Sequence, residues 1–74
     1  MTGRPMEEAD LERVLRTVRR ACTVFGDPVK AMRWLAKPRF AFAGRAPITR
    51  AAESDPGCVE VEAELARIEH GIYL

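Results

Sequence analysis

Leu11, Val14, Leu15, Val18, Cys22 and Phe25 follow one another at steps of three and four, the interval at which one face of an α-helix returns. A strand would throw these residues alternately to opposite sides, so the run specifies a helix, over Met6 to Phe25. Local chemistry agrees with it. Pro5 suits a first helical turn, Glu7, Glu8 and Asp10 complement the positive end of the helix dipole, and Arg19 and Arg20 stand toward the other end. Gly26 then supplies a residue that ends helices. The apolar stripe is expected to be the buried face, and Arg13, Arg16, Arg19 and Arg20 make the opposite face basic.

The rest of the chain is punctuated by prolines that start helices or stop them. Asp27 before Pro28 is an N-cap followed by a residue that needs no amide hydrogen, and it opens a short helix to about Lys37. Val29, Met32, Leu35 and Ala36 are expected inside. Trp34 lies off the centre of that stripe; a core placement is expected, with a partner-facing one as the alternative. Pro38 forbids continuation. The stretch from Pro38 to Pro47 holds Gly44 and reads as an ordered loop, with Phe40 and Phe42 plugging the core because a lone strand would have nothing to pair with. Pro47 begins a helix through about Glu53, with Ile48 and Ala51 inward. Asp55-Pro56-Gly57 opens a last helix to His70, with Cys58, Val61, Leu65 and Ile68 on one face and Gly71 as its stop. Its charges suit its dipole, Glu60, Glu62 and Glu64 preceding Arg67 and His70, and His70 is expected to cap the final carbonyls. Ile72, Tyr73 and Leu74 form an apolar tail where chain ends are normally polar.

A chain of 74 residues encloses one core. The fold class expected is all-α: a compact bundle of about four short helices with an ordered Pro/Gly loop and no complete N-terminal helix-turn-helix. Cys22 and Cys58 are expected to be small buried hydrophobes in a reducing compartment, and one histidine with no Cys-x-x-Cys leaves nothing to hold zinc. The acidic stretch after Met1 is unlike a signal peptide, which makes the expected location cytoplasmic. No nucleophile elbow, phosphate loop or pair of differentiated carboxylates appears, so the chain is expected to be no enzyme and to need no cofactor. Charge is divided unevenly: residues 1–50 hold 11 Lys/Arg against 5 Asp/Glu, and residues 51–74 hold 1 against 6. Each half could meet an oppositely charged surface, or the two could meet across a homodimer. Arg13, Arg16, Arg19 and Arg20 are candidate nucleic-acid contacts, although the Asp27 to Lys37 helix is too apolar for a recognition helix.

The order of residues adds to their types. Val24-Phe25-Gly26-Asp27, then Ala31 and Trp34-Leu35, Pro38, Gly44-Arg45-Ala46-Pro47, Gly57 with Val59, and Ile68-Glu69-His70-Gly71-Ile72-Tyr73 resemble the toxin-binding domain of the Xre/MbcA/ParS-like bacterial antitoxins. The resemblance covers about residues 21–74 and leaves 1–20 as a helical extension that would dimerise or brace the domain. It implies a type II toxin–antitoxin role, with a RES-domain toxin that consumes NAD or ADP-ribosylates a target as the partner, and the chain as a homodimer within a hetero-oligomeric complex. Joined to that role, the tail suggests its use. Gly71 would turn Ile72, Tyr73 and Leu74 out of the last helix into the toxin's NAD cleft, with Arg45, Arg67 and His70 at the rim. The alternatives are a tail folded back on its own core, and a DNA-binding regulator acting through the basic first helix.

Overall fold

The computed structural model describes residues 8–71. They form α1 (Glu8–Phe25), α2 (Pro28–Ala36), a 3-10 turn at Phe40–Phe42, α3 (Pro47–Glu53) and α4 (Asp55–Glu69). This is the all-α bundle expected, with a single antiparallel bridge between Arg39 and Arg45 closing the loop before α3. Met6, Glu7 and Pro5, assigned to the first helix, lie outside the described residues, as does the tail.

The boundaries follow from capping. The Gly26 N–H donates to Cys22 O at 2.9 Å and closes α1. Asp27 Oδ1 accepts from the Val29 N–H at 2.9 Å at the start of α2. At the start of α4 the cap is Ser54, whose Oγ accepts from the Gly57 N–H at 3.1 Å, so Asp55 is already helical. Such caps contribute about 1 kcal/mol each.

The core consists of Ala21, Ala31, Trp34, Leu35, Phe42, Ala51, Cys58, Val61 and Leu65. Leu35, Val61 and Leu65 are fully enclosed, which stabilises the fold by about 1.5–3 kcal/mol for each side chain. Trp34 packs tilted on Phe25, with ring centroids 5.9 Å apart, and edge-on to Phe42 at 6.4 Å. The tryptophan is therefore core. The expected inner face of α4 is also the observed one, with Cys58, Val61 and Leu65 buried and Ile68 packed on them.

Three expectations fail, for related reasons. In α1 the buried residues are Arg13, Thr17 and Ala21, at four-residue steps, while Leu11 and Leu15 of the apolar stripe are 47% and 46% exposed. α1 contacts α2, α3 and α4 at once, and the small side chains of Thr17 and Ala21 let it sit close to them. Val14, Val18, Cys22 and Phe25 are half-buried at the margin. In α2 the inward residues are Ala31, Trp34 and Leu35, because the indole takes the volume that Val29 and Met32 would have filled; those two and Ala36, also expected inside, are exposed. In the loop Phe42 is buried but Phe40 is fully exposed, since residues two apart in a 3-10 turn point about 120° apart and cannot both face one core.

α1 runs without a break through residue 20, the expected edge of the extension, and Arg13 shows how its N-terminal half is tied in. Its guanidinium, nine-tenths buried, donates from Nε to Ala51 O at 3.2 Å and from Nη2 to Ala52 O at 2.9 Å. It also pairs with Asp10 on α1 and, at 3.1 Å, with Asp55 on α4. One arginine thus caps the carbonyl end of α3 and joins three helices.

Candidate functional site

At the C-terminal end of α4 the chain closes its carbonyls through the backbone. The His70 N–H donates to Ala66 O at 3.0 Å and the Gly71 N–H to Ile68 O at 3.1 Å. Gly71 has φ +76°, a left-handed turn that a residue with a Cβ adopts only at a cost of about 1 kcal/mol. The capping expected of His70 is therefore done by its amide, and its imidazole stands exposed beside Arg67, which pairs with Glu64 one turn earlier. Arg67, His70 and Gly71 share this turn. Arg45 does not join them: it is paired with Glu53 at the end of α3, separated from His70 by the whole of α4, roughly 20 Å of helix. Ile72, Tyr73 and Leu74, the expected contact residues, lie outside the described residues.

The basic stripe of α1 is largely paired with carboxylates of this chain, although Arg16, Arg19 and Arg20 remain at the surface. Arg13 is buried as described. Arg16 Nε meets Glu62 Oε2 at 3.1 Å, and Arg20 Nη2 meets Glu69 Oε1 at 2.7 Å. The Cys58 sulfur, 3.5 Å from Arg16 Nη2, together with Glu62, holds the Arg16 pKa above its ordinary value. Arg19 is exposed and forms no ion pair with another described residue. The basic and acidic halves of the sequence thus meet within one molecule. Arg50 adds to this lacing by gripping both carboxylate oxygens of Glu60, at 2.9 and 3.2 Å, which keeps that carboxyl below the usual carboxylate range. Three of the four arginines proposed for nucleic acid are accordingly engaged with this chain's own carboxylates.

A different set of cations is left uncompensated. Residues 28–52 contain no Asp or Glu. Within them, Lys30, Arg33, Lys37 and Arg39 form no ion pair with any described residue and surround the outer face of α2. That face bears two adjoining open depressions of about 720 and 480 Å³, sharing Arg33 and Ala36. Trp34 and Phe25 floor one; Val29 and Met32 line the other. The Arg39 guanidinium lies over the Trp34 ring at 5.1 Å, and its Nε has no hydrogen-bond partner. This face was missed from sequence. The available signal was the acid-free run, with Lys30, Arg33 and Lys37 at helical spacing.

Among the described residues no group of three His, Cys, Asp or Glu side chains could hold a metal ion, and no helix is long and apolar enough to cross a membrane. A short all-α domain with charged, laced helices and exposed apolar faces is built for contact with another protein. The model of the antitoxin Xre/MbcA/ParS C-terminal toxin-binding domain matches residues 20–71, and the chain belongs to that family. It is thus a toxin-binding domain of a toxin–antitoxin system. Neither the curated proteins nor the solved structures gave a match.

Proposed function

We propose that the chain is the antitoxin that binds a RES-domain toxin and keeps it inactive, the toxin being an enzyme that degrades NAD or transfers its ADP-ribosyl group in the cytoplasm. The observation that carries the reading is the match to the toxin-binding domain, which runs to the left-handed stop at Gly71. Beyond that stop, Ile72, Tyr73 and Leu74 supply an aromatic anchor and aliphatic bulk, chemistry suited to a cleft that takes a nicotinamide or adenine ring. Inhibition is then exclusion of NAD, with Arg67 and His70 at the rim, and the chain itself performs no chemistry. The test is NAD consumption by a RES-domain protein, should one be encoded beside this chain, alone, with the intact chain, and with a chain ending at Gly71; a neighbouring gene of another kind removes the RES assignment. Inhibition by the intact chain only, with both forms binding, is the expected outcome. Equal inhibition by both removes the tail from the mechanism; absence of inhibition and binding, with a retarded promoter fragment, replaces the reading by DNA-binding regulation through α1.

The same reading includes a homodimer, for which α1 supplies the surface. Leu11, Leu15, Val18 and Cys22 repeat at steps of four, three and four, the seam of a coiled coil, and the first two are half-exposed. Glu12 lies on the N-terminal side of that seam and Arg19 on the C-terminal side. A two-fold antiparallel pairing therefore sets each Glu12 near the partner's Arg19 and is self-complementary. Leu15→Glu should turn the dimer into a monomer by light scattering while leaving the helical circular dichroism intact, because Leu15 contributes little to the monomer core. A dimer that survives the substitution uses another face.

A further inference from the structure

We infer that the outer face of α2 is a second toxin-contact surface, which takes an acidic segment of the toxin whose apolar residues seat on Val29, Met32 and Ala36. This rests on the reading of the chain as a toxin-binding domain and goes beyond it by adding a contact remote from the tail. The contrast among the cations carries the inference. Arg13, Arg16, Arg20, Arg45 and Arg50 are each neutralised by a carboxylate of their own chain. Lys30, Arg33, Lys37 and Arg39 form no ion pair with any described residue; all four line the depression floored by Trp34 and Phe25, and Arg33 also borders the adjoining one lined by Val29, Met32 and Ala36. Uncompensated cations around an apolar floor are complementary to carboxylates flanking an apolar anchor.

The floor distinguishes the possible occupants. A phosphate backbone has no use for Val29 and Met32, which are 59% and 44% exposed, and base stacking needs an open aromatic face, whereas Trp34 is 9% exposed beneath Arg39. On α4 of a second copy, Glu60, Glu62 and Glu69 are already paired with Arg50, Arg16 and Arg20, and Glu12 of α1 borders the seam proposed above for the homodimer. An acidic, amphipathic protein segment meets both requirements at once.

The experiment measures the affinity of the full chain for the RES-domain protein by calorimetry, between about 50 and 200 mM salt. Three variants are compared with the parent: Arg33→Glu with Lys37→Glu, Lys30→Gln with Lys37→Gln, and Met32→Ser. All alter exposed side chains, and melting curves check that each stays folded. The charge reversal should weaken binding at least about tenfold, the neutralised pair should weaken it less and flatten the salt dependence, and Met32→Ser should weaken binding with the salt dependence unchanged. Folded variants that bind within about twofold of the parent overturn the inference while leaving the antitoxin reading in place. A parent chain that does not bind the RES-domain protein overturns both. Loss of duplex-DNA binding or of self-association in these variants, at unchanged toxin affinity, assigns the face to nucleic acid or to a second copy and also overturns the inference.

Discussion

Arg13→Ala lowers the melting temperature by on the order of 15 °C, the shift expected for a loss of about 2–3 kcal/mol in a domain of this size. The substitution removes the donors that close Ala51 O and Ala52 O at the end of α3, and it leaves Asp10 and Asp55 without their common cation. A buried acceptor stripped of its donor loses more than the net worth of one hydrogen bond, because its desolvation is no longer offset. Asp55 moderates the cost, since its side chain is largely exposed and returns to water. Arg13→Lys should lose most of the same stability despite keeping the charge, because a single ammonium cannot span two carbonyls and two carboxylates that a planar fork reaches together. Thermal melts of the two variants against the parent decide the matter. An Arg13→Ala chain melting within a few degrees of the parent would mean that water satisfies the end of α3. Saturating toxin should hide much of the defect, since a ligand at a hundredfold its Kd adds about 2.7 kcal/mol.

That role was invisible in the sequence for a reason that applies to α1 as a whole. Its apolar residues cover a broad arc, and periodicity identifies the helix without saying which part of the arc faces the neighbours. A helix packed against three others favours small residues where the backbones approach, so Thr17 and Ala21 took the inside and Leu11 and Leu15 were left half-exposed. An arginine went with them because its length reaches the carbonyls that α3 leaves open. α4 was legible because its apolar stripe is narrow and coincides with its small residues: Cys58, Val61 and Leu65 leave one choice of face. In α2 a single large residue decided the outcome, as Trp34 filled the interior and turned Val29 and Met32 outward.

The candidate surfaces divide along the same line. The end of α4 was legible because a glycine stop is a local signal, confined to Gly71 and its two backbone bonds. The α2 groove was not, because it depends on which cations find carboxylates across the bundle. The acid-free run of residues 28–52 is a signal but an insufficient one, since Arg50 lies in it and still finds Glu60; only the packing of α1 and α3 on α4 separates Arg16, Arg20 and Arg50 from Arg33 and Arg39, which form no ion pair with a described residue.

That packing leaves no room for a Cβ at Gly57, where alanine should cost about 2 kcal/mol and lower the melting temperature by roughly 10 °C. A Cβ there would stand 2.3 Å from Arg50 O and 3.2 Å from both Arg50 C and Ser54 Oγ. The obstruction is backbone, so no side-chain rotation relieves it. α3 must move away from α4, disturbing the fully buried Ala51, Cys58 and Val61. Helix propensity opposes this loss, since alanine in a helix is favoured over glycine by about 1 kcal/mol, but a clash with rigid backbone lies at the upper end of the usual overpacking range, about 3 kcal/mol, and leaves about 2 kcal/mol net. Gly26→Ala provides the comparison, because a Cβ there meets nothing within 4 Å and its only cost is the left-handed φ of +70°. The two substitutions should therefore differ in kind. Gly57→Ala should also weaken toxin binding, because it moves α3 on the bundle, while Gly26→Ala should change stability alone. A Gly57→Ala chain more stable than the parent would show that α3 yields without cost, and that α3 and α4 are not held as one rigid layer beneath the binding surfaces.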